Sequence, residues 1–130
     1  MRITLHILAL AILATAGERG DPRLDKGLNH FYNLEYDQAI TEFQALVASQ
    51  PENPNFHNHV AQTVLYREML RGGALESELV SETNSFLSRE KLAMSAEAER
   101  AFNASVTKAM DLGKARLEKN PDDIDALYAV

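Results

Sequence analysis

The sequence has no cysteine and no tryptophan, and its 130 residues include only four prolines and six glycines. Without cysteine the chain has no disulfide, no thiolate metal ligand, no thiol nucleophile and no residue for an N-terminal lipid. Sparse proline, together with abundant Ala, Leu and Glu, favours helix because these side chains lose little conformational freedom there. Composition therefore predicts an all-α protein, and the length leaves room for one domain.

Positive charge is also scarce, with 13 Lys and Arg against 19 Asp and Glu and a net charge of −6. An acidic chain with no basic cluster repels phosphate backbones, so we predict no nucleic-acid partner. The 45% of hydrophobic residues is enough for a core, so a fully disordered chain is not expected.

The N-terminus has the order of a secretory signal peptide, with a short basic start, an apolar run and small residues at Ala14 and Ala16. The apolar run is shorter than the roughly 20 residues that a membrane-spanning helix needs. We predict a signal peptide over 1–16, cleavage before Gly17, a flexible linker over 17–20 and export to the periplasm or the medium. An uncleaved membrane anchor and a buried N-terminal helix are the alternatives.

Helix starts divide the rest of the chain. Asp21-Pro22 and Asn53-Pro54 combine a side chain that caps free N–H groups with a proline suited to the first helical position. Ser95 caps a later helix, and Gly72-Gly73 ends the one before it. With the periodicity of apolar residues, these signals predict helices that begin near residues 22, 37, 54, 96 and 123, and a short one near 75–80.

Small, aromatic and proline residues follow a particular order in residues 20–53: Gly27, Tyr36, Ala39, Phe43 and Pro51. This order resembles the tetratricopeptide repeat (TPR), a helix–turn–helix of about 34 residues with such residues at fixed offsets. The resemblance implies that Gly27 and Ala39 let two helices approach closely. It further implies that Tyr36 and Phe43 fill the space around that contact, and that Pro51 ends the second helix.

A second copy is indicated by Ala61, which follows Gly27 by 34 residues, and by Ala109 and Pro121, each 70 residues after its counterpart in the first copy. We predict repeat 2 over about 54–121, with an insertion over 72–95 between its helices. The spacing of 70 residues also fits two full repeat periods, with a degenerate copy of the repeat between the two.

The resemblance implies a short TPR-like α-solenoid of antiparallel helix hairpins over 21–130, in which residues 122–130 begin a third repeat. The pattern departs from the family at several positions: Gly113 stands where an aromatic residue is usual, and Arg23 and His57 replace bulky residues. A generic four-helix bundle is the alternative.

A search for catalytic chemistry is negative. His57 and His59 are two residues apart, so on a helix they point in different directions and do not grip one ion. The sequence has no Gly-rich phosphate loop and no G-x-S-x-G nucleophile motif. We therefore predict no catalytic residue, no metal, no cofactor and no small-molecule substrate; the chain is not expected to be an enzyme.

With these functions excluded, protein binding is the function that we predict. The resemblance implies a concave groove, lined by the first helix of each hairpin, that holds a peptide or helix of a partner. Its candidate residues are Phe31, Tyr32, Asn58, Gln62, Leu65 and Tyr66. The alternative for Phe31 and Tyr32 is that they pack on the next helix.

The predicted function is thus an exported scaffold that binds a protein or peptide, with membrane contact only through an uncleaved N-terminus. The 72–95 insertion would add a lid or a second contact surface. Self-association is one alternative function, and a helical accessory to a longer, enzymatic protein is another.

Overall fold

Five α-helices make up the described part of the chain, residues 20–75 and 93–130 of a computed structural model. They are α1 (Pro22–Tyr32), α2 (Tyr36–Ser49), α3 (Pro54–Arg71), α4 (Ala96–Lys119) and α5 (Ile124–Leu127). These ranges hold no strand, so the predicted all-α class is confirmed for them. The predicted signal peptide with its cleavage site, and nearly all of the suggested helix near 75–80, lie outside the described residues.

The predicted starts of α1, α3 and α4 are confirmed at their caps. The Oδ1 atoms of Asp21 and Asn53 accept hydrogen bonds from backbone N–H groups two residues on, at 3.0 and 3.1 Å. Ser95 Oγ accepts one from the N–H of Ala98 at 3.1 Å. Each cap satisfies a backbone donor that has no partner inside its own helix. No helix within residues 20–75 and 93–130 is long and apolar enough to cross a membrane.

Two of the helices end in the same way. The N–H groups of Leu34 and Glu35 donate to carbonyls in the last turn of α1, and α3 ends with the equivalent bonds. This motif places one residue in the left-handed region. In α3 that residue is Gly73 (φ 69°), whereas after α1 it is Leu34 (φ 62°). A side chain there costs about 1–2 kcal/mol.

Helix α2 runs antiparallel to both α1 and α3. Arg23, at the start of α1, donates from Nη2 to Ser49 Oγ at the end of α2, 3.0 Å away. At the opposite end of this pair, the rings of Phe31 and Tyr36 are 5.5 Å apart. The ring of Tyr36 also lies 6.4 Å from that of Tyr66, near the end of α3. The chain therefore doubles back twice in its first three helices.

Phe43 of α2 joins these three helices. A Cβ added to Gly27 of α1 would lie 2.5 Å from Phe43 Cε1, so the ring occupies the space above the glycine. On the α3 side the ring stacks on His59, with ring centroids 5.0 Å apart and planes 21° apart. Phe43 is 1% exposed. The core around it consists of Leu24, Ala39, Ile40, Leu46, Phe56, Val60, Val64 and Ala98.

The short helix α5 folds back against α4 and α3. Gly113 of α4 makes room for it: a Cβ there would lie 3.3 Å from the carbonyl oxygen of Ala126 and 2.8 Å from Val130 Cγ1. Arg116 donates from Nε and Nη2 to the carboxylate of Asp123, at 2.9 and 3.0 Å. Gly113, which departs from the TPR pattern, thus allows the close packing of α5 against α4 in this chain.

The residues assigned to repeat packing fall into two groups. Six of them are buried inside helices: Gly27, Tyr36, Ala39, Phe43, Ala61 and Ala109. Pro51 and Pro121 are exposed instead, each directly after the residue that caps the end of α2 or α4. The prolines thus stand at helix ends and not in the core.

The contact of Gly27 with Phe43 generates a prediction for stability. Gly27→Ala should lower the free energy of unfolding by about 1 kcal/mol. Its Cβ overlaps a buried ring, which costs about 1–3 kcal/mol, and this exceeds the roughly 1 kcal/mol that alanine gains over glycine in a helix. In a Phe43→Leu background the same change should be neutral or stabilising. Urea unfolding of all four proteins of this double-mutant cycle measures the coupling; an equal loss in both backgrounds contradicts the packing described.

Candidate partner groove

An open groove of about 1040 Å³ lies between α1, α3 and the segment that leads into and through α5. We call it the α1–α3–α5 groove. Its lining residues are Leu24, Leu28, Asn55, Asn58, His59, Gln62, Asn120, Asp122, Asp123, Ile124, Asp125 and Tyr128. Neither α2 nor α4 contributes a described residue to this lining.

Two apolar walls border the α1–α3–α5 groove. On the α1 side are Leu24 and Leu28, one helical turn apart, which also belong to or pack against the core. On the α5 side are Ile124 and Tyr128, which are 67% and 80% exposed. Leu24 and Leu28 are anchored in the core, whereas the α5 wall presents apolar surface to solvent.

Amide side chains of α3 line the groove between these walls, because Asn55, Asn58 and Gln62 recur at intervals of three and four residues on one face. Asn55 Nδ2 donates to the carbonyl oxygen of Asp125 at 3.2 Å, and Asn58 Nδ2 donates to that of Ala129 at 3.4 Å. These two amides therefore hold α5 and the residues just after it in place. Gln62 is exposed and its amide has no hydrogen-bond partner among the described residues.

The α5 end of the groove is acidic. Asp123 caps α5 by accepting from the N–H of Ala126 at 3.1 Å and also pairs with Arg116. The Ala126 hydrogen bond, followed by the bond to Arg116, holds the pKa of this carboxyl below its ordinary value. Asp122 and Asp125 are exposed, and their carboxylates have no ion pair within 20–75 and 93–130. No group of three or more His, Asp or Glu side chains in those ranges is placed to hold a metal ion.

An aromatic cluster lies further along α1 and α3. The Phe31 ring is 5.6 Å from that of Tyr32, 5.5 Å from that of Tyr36 and 5.2 Å from that of Tyr66. Tyr36 is 4% exposed, and burial, with a smaller contribution from Tyr66, raises the pKa of its hydroxyl. Phe31 is half-buried within this cluster, while Tyr32 is 76% exposed.

The structure divides the six groove candidates predicted from the sequence. Asn58 and Gln62 line the α1–α3–α5 groove. Phe31, Tyr32 and Tyr66 belong to the aromatic cluster instead. The ring of Phe31 contacts α2 and α3, as in the alternative prediction that it packs on the next helix. Leu65 is half-buried and lines no part of the groove.

Sequence reasoning missed several lining residues. Leu24 and Leu28 precede Phe31 at helical spacing on α1, and that spacing was the available signal for them. Ile124 and Tyr128 lie in the segment predicted to begin a third repeat. The first helix of a third repeat would add a further wall to the groove, but the candidate residues predicted from the sequence came only from α1 and α3.

A second polar cluster joins α2 to α3 away from the groove. Glu68, 6% exposed, accepts hydrogen bonds at 3.1 Å from Arg67 Nε and from Arg71 Nη1. Both arginines also pair with Asp37 of α2, at 3.0 and 3.5 Å. Every charge of this cluster has a partner, so we assign it a role in holding the two helices together.

Comparisons with known proteins found no matching family model, no matching curated protein and no matching solved structure. The candidate site therefore depends on the geometry of the chain's own residues.

Asp123 generates a pH-dependent prediction. Because the fold lowers the pKa of its carboxyl, the stabilisation is present above the ordinary Asp pKa of about 3.9 and is lost as the pH falls through the lowered pKa. Asp123→Ala should therefore speed amide hydrogen exchange in α5 at pH 7, and the difference from wild type should shrink as the pH falls below about 4.

Asp122→Ala is the matched control, since it removes a neighbouring acid that has no ion pair in the described chain; it should leave exchange in α5 nearly unchanged. A difference between Asp123→Ala and wild type that stays constant with pH would contradict the role assigned to the ionised carboxylate.

Proposed function

We propose that this chain is a TPR-like interaction module whose α1–α3–α5 groove binds a short segment of a protein partner. The observation that supports this most strongly is that alternate helices along the chain line the groove. Residues of α1, α3 and α5 line the groove, while α2 and α4 contribute none that are described. Helical repeats form concave binding surfaces, and the TPR resemblance implies that the first helix of each hairpin lines this surface. These three helices are the ones that the repeat pattern assigns to that position.

The chemistry of the groove suits a peptide better than a small polar metabolite. A volume of about 1040 Å³ lies just above the roughly 300–1,000 Å³ typical of ligand pockets. Two apolar walls offer burial to apolar side chains. The amide of Gln62, which has no partner among the described residues, offers a donor and an acceptor to an extended backbone. The exposed wall of Ile124 and Tyr128 would be covered by such a segment.

We also propose that the module acts outside the cytoplasm. The basic start, the apolar run and the small residues Ala14 and Ala16 support this part of the proposal.

Two exposed tyrosines test the groove assignment, since Tyr128 lines the groove and Tyr32 lies in the aromatic cluster, with exposures of 80% and 76%. Peptides selected from a random display library on the wild-type protein should lose about tenfold or more in affinity with Tyr128→Ala, because truncated aromatic anchors often cost 2 kcal/mol or more. Affinity for Tyr32→Ala should remain within about twofold.

Fluorescence anisotropy with the labelled peptides measures both values, and thermal melts establish that both variants fold. A loss with Tyr32→Ala and none with Tyr128→Ala would move the binding surface to the aromatic cluster. Peptides that bind both variants as well as wild type would overturn the proposal.

Self-association is a second candidate, and the surface around α5 favours it. Leu127 and Val130 are 53% and 52% exposed, although neither lines the groove. Exposed apolar residues clustered in one short segment are typical of contact surfaces. If this face joins two copies, sedimentation velocity should show a dimer whose fraction rises with concentration, and Leu127→Glu should abolish it. A monomer at every concentration would exclude this candidate.

A further inference from the structure

We propose that the α1–α3–α5 groove selects segments in which Lys or Arg stands beside an apolar side chain. This inference rests on the proposed function and adds the chemical class of the partner. The argument comes from two carboxylates at one end of the groove that have no ion pair among the described residues.

The groove carries negative charge that no described residue compensates. Of its three aspartates, Asp123 is neutralised by Arg116 through bonds of 2.9 and 3.0 Å. Asp122 and Asp125 remain exposed, without an ion pair in the described chain. None of the described residues that line the groove is Lys or Arg. A cationic side chain is therefore the complement to the described lining at this end.

The carboxylates of Asp122 and Asp125 flank apolar surface. Asp122 and Asp125 come from the same segment as Ile124 and Tyr128, and all four line the groove. A segment that buries an apolar side chain against Ile124 and Tyr128 would thus place its neighbouring residues beside carboxylates. The exposed ring of Tyr128 also offers a face to a cation.

The same charges select against acidic partners. A carboxylate or a negatively charged side chain in the groove would meet Asp122 and Asp125 and no compensating cation among the lining residues. Like charges brought together across an interface suppress binding and so set specificity. The groove should therefore discriminate between segments of the same apolar content by the sign of their charge.

The test uses three labelled peptides of equal length in which Leu alternates with Lys, Gln or Glu. Anisotropy titrations at physiological ionic strength should rank their affinities as Lys above Gln above Glu, and the binding of the Lys peptide should depend on Tyr128. The double variant Asp122→Asn with Asp125→Asn should weaken binding of the Lys peptide by about three- to tenfold, as expected for two exposed charge pairs.

A double variant on α4, Asp111→Asn with Glu118→Gln, is the matched control. It removes two exposed acids outside the groove and changes the net charge equally. It should leave the affinity for the Lys peptide within about twofold. Thermal melts of both double variants at neutral pH establish that the fold is retained.

The outcomes separate this inference from the function on which it rests. If the Gln or Glu peptide binds as tightly as the Lys peptide and depends on Tyr128, the groove binds peptides but the charge selection is wrong. The same conclusion follows if both double variants weaken binding equally, since net charge then explains the effect. If no peptide depends on Tyr128, the groove assignment itself fails.

Discussion

The contact of Phe43 with its two neighbouring helices is the constraint on which the rest of the structure depends. The ring lies over Gly27 of α1, where no side chain fits, and stacks on His59 of α3. One buried side chain of α2 therefore sets how far apart α1 and α3 lie. Leu28 and Gln62 line the groove from those two helices, so the packing on the α2 side determines the width of a surface to which α2 contributes no described residue.

The groove also needs α5, which is four residues long and too short to be stable as an isolated helix. Tertiary contacts hold it instead. Gly113 lets it approach α4, and Asp123 caps it and pairs with α4. From α3, Asn55 binds the carbonyl of Asp125 in α5, and Asn58 binds that of Ala129 just after it. Asn58, which the sequence suggested as a ligand-binding amide, thus donates its N–H₂ hydrogen bond to another part of the chain. Gln62 is left as the amide available to a partner.

The helices were predictable because their signals are local. Asp21, Asn53 and Ser95 cap helices through their own side chains, and such a bond spans two or three residues. The groove was less predictable because it forms between helices that are distant in sequence. A stripe on α1 or α3 is visible in the sequence, but whether Phe31 faces a partner or Tyr66 depends on how the helices dock. The role of Gly113 was also not predictable, and its sequence position suggested only a departure from the TPR pattern. Its neighbour Ala126 lies in another helix, so their contact depends on how the helices dock.

The most direct test of the central claim is a chemical-shift map of the complex. The ¹⁵N-labelled protein would be titrated with a peptide selected from a random library. The account predicts the largest shifts at the amides of α1, α3 and α5 that border the groove, including those of Leu28, Gln62 and Tyr128, with α2 nearly unaffected. Shifts concentrated around Tyr32 and Leu34, or on the exposed face of α4, would contradict it.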